Sequence, residues 1–511
     1  MLRWGTRTLL LTIAFFPFIL NNTKLLFKDK NLIKECEKRP YCKSNLLIPF
    51  YPIVVVHEHG DTWSYFEPID YLFKQGRYYD DYRPPGYGIV YGFFRLMHIP
   101  PEWALWAVVG IQLLFWGWAA GLLLAEAEKN GMPTPLVWLC CAILAFSPLA
   151  YYVWMLGTES LTASIGLLGL LALLRKRYLL AGIAFTWTFF LRPAHILWVI
   201  AGLLFVLIQN RTLLLKRPVV LYLLPFLVAE GLWTGRNYLI YKDFRPLSGN
   251  KAPMFTYVMA KSMYKEIQLL TLIGEANVAK IYDPNSLNAL LLSNMSEYKK
   301  VDKKILSNTL PSYVTNSPCN IDTILSLIEI KRKLYNERYT PEFIPVQVSP
   351  HLSLPPSHLS MYRFAPNDTD CYYEKIYINK LEYCYKCISE QMRIMDHIIK
   401  IKNNLLEAFY SPSYVDAKGY TSSFRVLIKK TYYLMYIALT LFGLLVVPLL
   451  LLFRKNLSPS TFLAAQLYSW PVFILLIALY LWVGNLTRRY IDVLFLHAMW
   501  MIVAWTRSLL R

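Results

Sequence analysis

Between Gly60 and Tyr87 the chain reads GDTWSYFEPIDYLFKQGRYYDDYRPPGY, an acid followed by an aromatic-rich amphipathic middle and a basic residue before a Pro-Pro-Gly-Tyr break. The chemistry such residues offer is specific. A carboxylate, Asp61, can take a proton from an attacking hydroxyl, and Arg83 can hold phosphate oxygens in a bidentate grip that survives near lipid. Further guanidinium groups at Arg192, Arg236 and Arg489 could share that load as charge builds on a leaving phosphate. His57, His59 and Asp61 would share one face of an extended segment, so a divalent metal is the alternative reading there. Asp368-Thr369-Asp370 imitates a metal-binding DxD but lacks any βαβ pattern around it, and a surface turn is the better reading.

Each candidate also has a plainer reading. Asp61 would cap a helix starting near Trp63, and Glu159 would serve as a cap and dipole partner at a helix start. Arg83 before two prolines would be a turn residue at the headgroups. Arg236-Asn237 would be a snorkelling helix end, and Arg192 would sit before a helix opened by Pro193.

The elements that must carry these residues are apolar. Hydrophobic residues make up 56% of 511, mean hydropathy is +0.34 and only 17% of residues are charged. That profile predicts an all-α polytopic membrane protein rather than one large soluble core. Net charge is +20, from 53 Lys plus Arg against 33 Asp plus Glu. With no zinc-finger or RNA-binding motif, the excess is read as positive-inside loops and attraction to membrane lipids, not as nucleic-acid binding.

Residues 1–20 read as an uncleaved first anchor with Arg3 and Arg7 inside. A polar loop, 21–101, follows and contains the Gly60–Tyr87 stretch, with a short membrane-dipping helix from Gly86 to Met97. Apolar segments then run over 103–125, 136–153, 158–174, 178–192, 195–209 and 218–235. Three more close the chain near 430–453, 461–484 and 490–506, for a total of roughly ten spans. The domain plan is a transmembrane module over 1–250, a mainly helical extracytoplasmic insertion over 251–425 and closing helices over 426–511. Alternation places Glu128, Arg175, Arg217 and Arg454 on the inner side with Arg3. It places Asp61, Arg83, Glu159, Arg192, Arg236 and Arg489 together on the outer side.

Of the eight cysteines, Cys140 and Cys141 lie in an apolar helix and read as packing residues. Cys36, Cys42, Cys319, Cys371, Cys384 and Cys387 fall in the polar segments, where an oxidising compartment would let them pair in an order the sequence does not choose. Cys384-x-x-Cys387 has no second half to make a zinc site.

Gly60-Asp61-x-x-x-Tyr65, Gly76-Arg77-Tyr78 and Arg83-Pro84-Pro85-Gly86-Tyr87 together resemble the first outer loop of the GT-C membrane glycosyltransferases. The types most like it are the RgtA/B/C/D-like enzymes, the protein O-mannosyltransferases and the lipid A aminoarabinose transferase. Thr158-Glu159-Ser160, Leu191-Arg192-Pro193, Arg236-Asn237-Tyr238 and Arg489-Tyr490 follow in the family's order, whereas 251–425 matches nothing. The resemblance implies a polyprenyl-phosphate sugar donor, a lipid, glycan or protein acceptor, inversion at the anomeric carbon and no cofactor. It implies a base at Asp61 and phosphate contacts at Arg83, Arg236, Arg489 and Arg192, with Glu159, Tyr65, Tyr87, Asn237 and Tyr490 in support. The aminoarabinose type carries an acid directly before the basic residue; here that position is Tyr82, which makes Asp81 the candidate second carboxylate.

Two other function classes meet the composition. A transporter or flippase for a lipid-linked or anionic substrate should show internal repeats and mid-membrane charges, and the chain has no repeat. A non-catalytic membrane scaffold would leave the Gly60–Tyr87 pattern without a purpose. The expected location is a bacterial inner membrane with the site on the extracytoplasmic side.

Overall fold

The structure is a computed structural model that describes residues 2–22, 62–75, 84–154, 156–210, 216–241, 258–274, 310–338, 372–393, 395–396, 434–453, 459–469 and 493–510, with isolated positions 287, 291, 303 and 306. Among the described residues it is mostly helical, with no strand. In chain order the helices are α1 (Leu2–Asn22), α2 (Thr62–Gln75), α3 (Gly88–Leu96), α4 (Pro101–Lys129), α5 (Thr134–Ala145), α6 (Glu159–Leu174) and α7 (Tyr178–Leu191). There follow α8 (Ile196–Asn210), α9 (Arg217–Tyr241), α10 (Val258–Ile273), α11 (Ile321–Arg338), α12 (Tyr372–Gln391), α13 (Leu434–Leu452) and α14 (Phe495–Leu510).

Three of these helices, over Trp103–Lys129, Arg217–Leu239 and Leu434–Leu452, are long and apolar enough to cross a membrane; α5 to α8 and α14 are apolar but shorter. Their outward faces carry leucine and isoleucine, such as Leu180 and Ile183 on α7 and Leu227, Leu232 and Leu239 on α9. The segment expected to run from 136 to 153 is divided, because α5 stops at Ala145 and a separate short helix, Pro148–Tyr152, follows. Pro148 disfavours a helical conformation at Ser147. Within α13 the turn Phe442–Val446 is a π-helix. It ends two residues before Pro448, whose missing N–H cannot bond back into that turn.

The chain forms two compact units, Met1–Asn250 with Ser422–Leu475 and Arg489–Arg511, and Lys251–Thr421 with Leu476–Arg488. In the first, α7 packs between α6 and α9. The approach to α9 is close enough to demand a glycine: a Cβ at Gly182 would lie 2.1 Å from the Tyr222 carbonyl oxygen. Further along both helices Phe189 meets Phe226 at 5.4 Å between ring centroids, so α7 and α9 run in the same direction. One end of this unit gathers ordinary anchoring charge. Arg3 pairs with Glu128 at 3.3 Å, Trp4 Nε1 donates to Glu128 at 2.7 Å and Arg175 pairs with Glu126 at 3.3 Å. Arg7 lies over the rings of Trp4 and Trp138, 4.8 and 4.5 Å from their centroids.

The second unit has its own core, in which Leu270 of α10, Leu327 of α11 and Tyr377 and Leu381 of α12 are buried. Each such side chain contributes about 1.5–3 kcal/mol on removal from water. Glu266, fully buried, pairs with Lys331, whose ammonium lies 5.3 Å from the centroid of the Tyr377 ring. Burial, and then the Glu266 carboxylate, hold the Tyr377 hydroxyl well above its ordinary range. Among the described residues a disulfide joins Cys319 to Cys384, with Cα atoms 5.0 Å apart, while Cys387 one turn on in α12 is a free thiol. Cys36, Cys42 and Cys371 lie outside the described residues.

That bridge closes a loop across 65 residues. Loop-closure entropy predicts that Cys319→Ser costs the unit about 4 kcal/mol. The check is a denaturant titration with and without reductant. Reductant should bring the native protein down to the variant's midpoint, and a midpoint indifferent to both would remove the bridge from the fold's supports.

Candidate functional site

The described part of the motif loop begins at Pro84 and is fastened to the end of α7 through both backbone groups of Gly86. Gly86 N donates to the Phe190 carbonyl at 3.2 Å, and its own carbonyl accepts from Trp187 Nε1 at 2.9 Å. The Phe190 carbonyl is open to such a donor because α7 ends one residue later. Pro193 drives Arg192 out of the helical region, and its backbone is extended (φ −150°, ψ 111°). No side chain fits at the contact: a Cβ on Gly86 would lie 2.4 Å from both the carbon and the oxygen of the Phe190 carbonyl.

The same extended residue turns its guanidinium toward the start of α6. Arg192 Nε donates to Thr158 Oγ1 at 2.6 Å, and Nη2 pairs with Glu159 Oε1; all three residues are buried. Thr158 makes no side-chain capping bond to its own helix. Glu159 therefore faces Arg192, with Thr158 beside it, instead of serving as the cap that the sequence also allowed. Three motif pieces distant in the chain, 84–87, 158–159 and 191–192, thus meet at one end of the first unit.

Tyr87, next to Gly86, has no exposed surface. Its ring packs on Tyr65 and Phe66 of α2, at 5.3 and 5.1 Å, and its hydroxyl donates to Gln112 Oε1 at 2.8 Å. Gln112 Nε2 in turn donates to the Val153 carbonyl at 2.8 Å, which fixes the amide's orientation. Burial first, and then the nearby Glu159 carboxylate and Tyr65, push the Tyr87 hydroxyl well above its ordinary range, so it remains a donor.

A polar cluster the sequence reading missed locks α2 onto α3. Asp70, buried in α2, accepts from the Tyr91 hydroxyl at 3.1 Å and from Arg95 Nε at 3.1 Å, and Arg95 Nη1 reaches the Ile99 carbonyl at 2.7 Å. Its chemical signal was present, since one acid lies inside an apolar stripe and a Tyr and an Arg four apart follow on the next helix. Asp61 directly precedes the first residue of α2.

The end of α9 supplies the last described candidates. Arg236 Nη1 donates to Asn237 Oδ1 at 2.7 Å, and its guanidinium lies 4.8 Å from the Trp233 ring centroid. One turn earlier Thr234 Oγ1 donates to Glu230 Oε1 at 3.1 Å, with both residues buried. Glu230 was also missed, although a single carboxylate in an apolar run of spanning length marks a functional candidate. Asn237 is fully buried and its Nδ2 meets no acceptor among the described residues. A buried donor left so costs about 1–3 kcal/mol.

Asp61, Asp81, Arg83, Arg489, Tyr490, His57, His59 and Asp368 to Asp370 lie outside the described residues. Among the described residues no three His, Cys, Asp or Glu side chains come together to hold a metal. Comparison with protein-family models, with curated proteins and with solved structures finds no match.

Proposed function

We infer that the protein is a multi-pass membrane glycosyltransferase that moves a sugar from a polyprenyl-phosphate donor to a hydroxyl of a lipid, glycan or protein. One observation carries the reading: Gly86-Tyr87, Thr158-Glu159 and Arg192, pieces of the GT-C resemblance that lie far apart in sequence, come together at one end of the unit. Anchoring charges gather elsewhere, about Arg3, Glu126, Glu128 and Arg175, as expected if the motif end is extracytoplasmic. The Cys319–Cys384 bridge supports an oxidising compartment for the inserted unit, such as the outer side of a bacterial inner membrane.

In this reading Asp61 takes the proton of the acceptor hydroxyl. The hydroxyl oxygen attacks the anomeric carbon, the bond from that carbon to the phosphate oxygen breaks with inversion, and the bonding pair leaves with the phosphate. Arg83, Arg236 and Arg489 hold the growing phosphate charge, with Asp81 as the second carboxylate and Tyr490 in support. Arg192 is engaged by Glu159 and Thr158, which suits it to positioning the loop; Tyr65, Tyr87 and Asn237 support the same end. The chemistry needs no cofactor, and a metal at His57 and His59 is the alternative to a purely protein-based site.

The test is Asp61→Asn in purified protein given polyprenyl-phosphate sugars and candidate acceptors. Donor binding should persist while transfer falls about 10²- to 10⁴-fold; unchanged turnover would reject the base role. Arg83→Ala should weaken donor binding at an unchanged amount of protein in the membrane, and equal loss of both would make Arg83 a folding residue.

A further inference from the structure

α9 is apolar enough to cross a membrane, yet one of its faces turns polar near its end. Tyr222 and Phe226 on that face pack toward α7. The positions that continue the stripe at helical spacing are Glu230, Trp233, Thr234 and Asn237, all buried, while Leu232 and Leu239 on the other side are exposed. The depth of the polar part follows from the helix rise. Glu230 stands about one turn beyond Phe226, and Arg192 stands about one turn beyond Phe189, the ring that meets Phe226 on the parallel helix. The polar seam therefore starts level with the Arg192–Glu159 pair and runs outward from there.

Resting on the glycosyltransferase reading, we propose that Glu230, Thr234 and Asn237 form the subsite that holds the hydroxyl groups of the donor's sugar. The donor set fits a polyol better than an anion. A carboxylate accepts hydroxyl protons and repels phosphate, and an amide N–H donates to hydroxyl oxygens. Glu230 and Thr234 are already linked to each other, which fixes the carboxylate's orientation. Asn237 Oδ1 is taken by Arg236, so Nδ2 is the atom offered, a buried donor with no acceptor among the described residues. Arg236 thereby joins the phosphate side of the donor to the sugar side through one short hydrogen bond. Trp233, under the Arg236 guanidinium, keeps that bridge in place.

The experiment uses the full chain in nanodiscs with two probes, bare decaprenyl phosphate and decaprenyl phosphate carrying mannose, glucose, galactose or arabinose. The wild type should bind at least one sugar-bearing lipid about tenfold or more tightly than the bare lipid. Glu230→Gln and Asn237→Leu should each lose most of that preference while binding bare decaprenyl phosphate within about twofold of wild type; the lipid-facing Leu232→Ala should change neither. Retained preference in both variants overturns the subsite, as does loss of both lipids alike, which would make the seam structural. A wild type that binds the bare lipid but prefers no sugar overturns the subsite and leaves the phosphate reading intact. A wild type that binds no lipid overturns the functional reading and the subsite with it.

Discussion

Gly86→Ala should lower the transfer rate about a hundredfold and the unfolding midpoint measurably, although it adds a single methyl group to a loop. The added carbon would lie 2.4 Å from the carbon and oxygen of the Phe190 carbonyl and 2.7 Å from Leu191 N, all backbone atoms of α7. A flexible side chain could swing away from such a contact, but a helix end cannot. The loop must instead lift by about an ångström or more, and both Gly86 hydrogen bonds lengthen together. Overpacking of this kind costs about 1–3 kcal/mol, and misplacing a reacting group by about 1 Å suffices for the loss of rate. Gly110→Ala is the control, because a Cβ there meets nothing within 4 Å. In a helix interior that change should be neutral or stabilising by up to about 1 kcal/mol. Thermal unfolding in detergent and a transfer assay on the same Gly86→Ala protein would read the two effects separately. Equal midpoints for the two alanine variants would mean that the loop is not seated on α7.

Much of this arrangement could be read from local chemistry. Pro100-Pro101 opens α4, and Pro193 ends α7 at the residue before it, so the helix boundaries beside the site follow from the restrictions proline imposes. Alternation of apolar runs groups Glu159 with Arg192, and the two residues are paired. Contacts fixed by packing alone were not legible. Asp70 finds Tyr91 and Arg95 because α2 folds back on α3, and nothing in the spacing of one helix announces its partner. The Cys319–Cys384 bridge spans 65 residues and is one of many possible pairings. Glu230 was hidden differently, since averaging hydropathy over a span conceals a single carboxylate, and burial of that face reveals it. Glu159 carried a signal with two meanings. An acid at a helix start suits a cap or a dipole partner, and only the position of Arg192 brings it, with Thr158, across to α7.

The pair itself gives the second large effect. Glu159→Gln should cost about 3–5 kcal/mol, because the Arg192 guanidinium would stay charged in a site with little access to water. Replacing Arg192 with methionine in the same chain should recover much of that loss, since no unpaired charge is then left in the buried site. The single and double variants thus form a cycle whose coupling term should reach about 1–3 kcal/mol, well above the few tenths expected of independent sites. Transfer should not recover in parallel. If Arg192 positions the loop through α7, the double variant regains its unfolding midpoint but not its rate, and its donor affinity changes less than its turnover. If Arg192 instead contacts the donor phosphate, both Arg192→Met and the double variant lose donor affinity while keeping the turnover of whatever donor still binds. Additive midpoints around the cycle would show that the two charges do not depend on each other. The meeting of the Thr158-Glu159 and Leu191-Arg192 segments would then need a cause other than this ion pair.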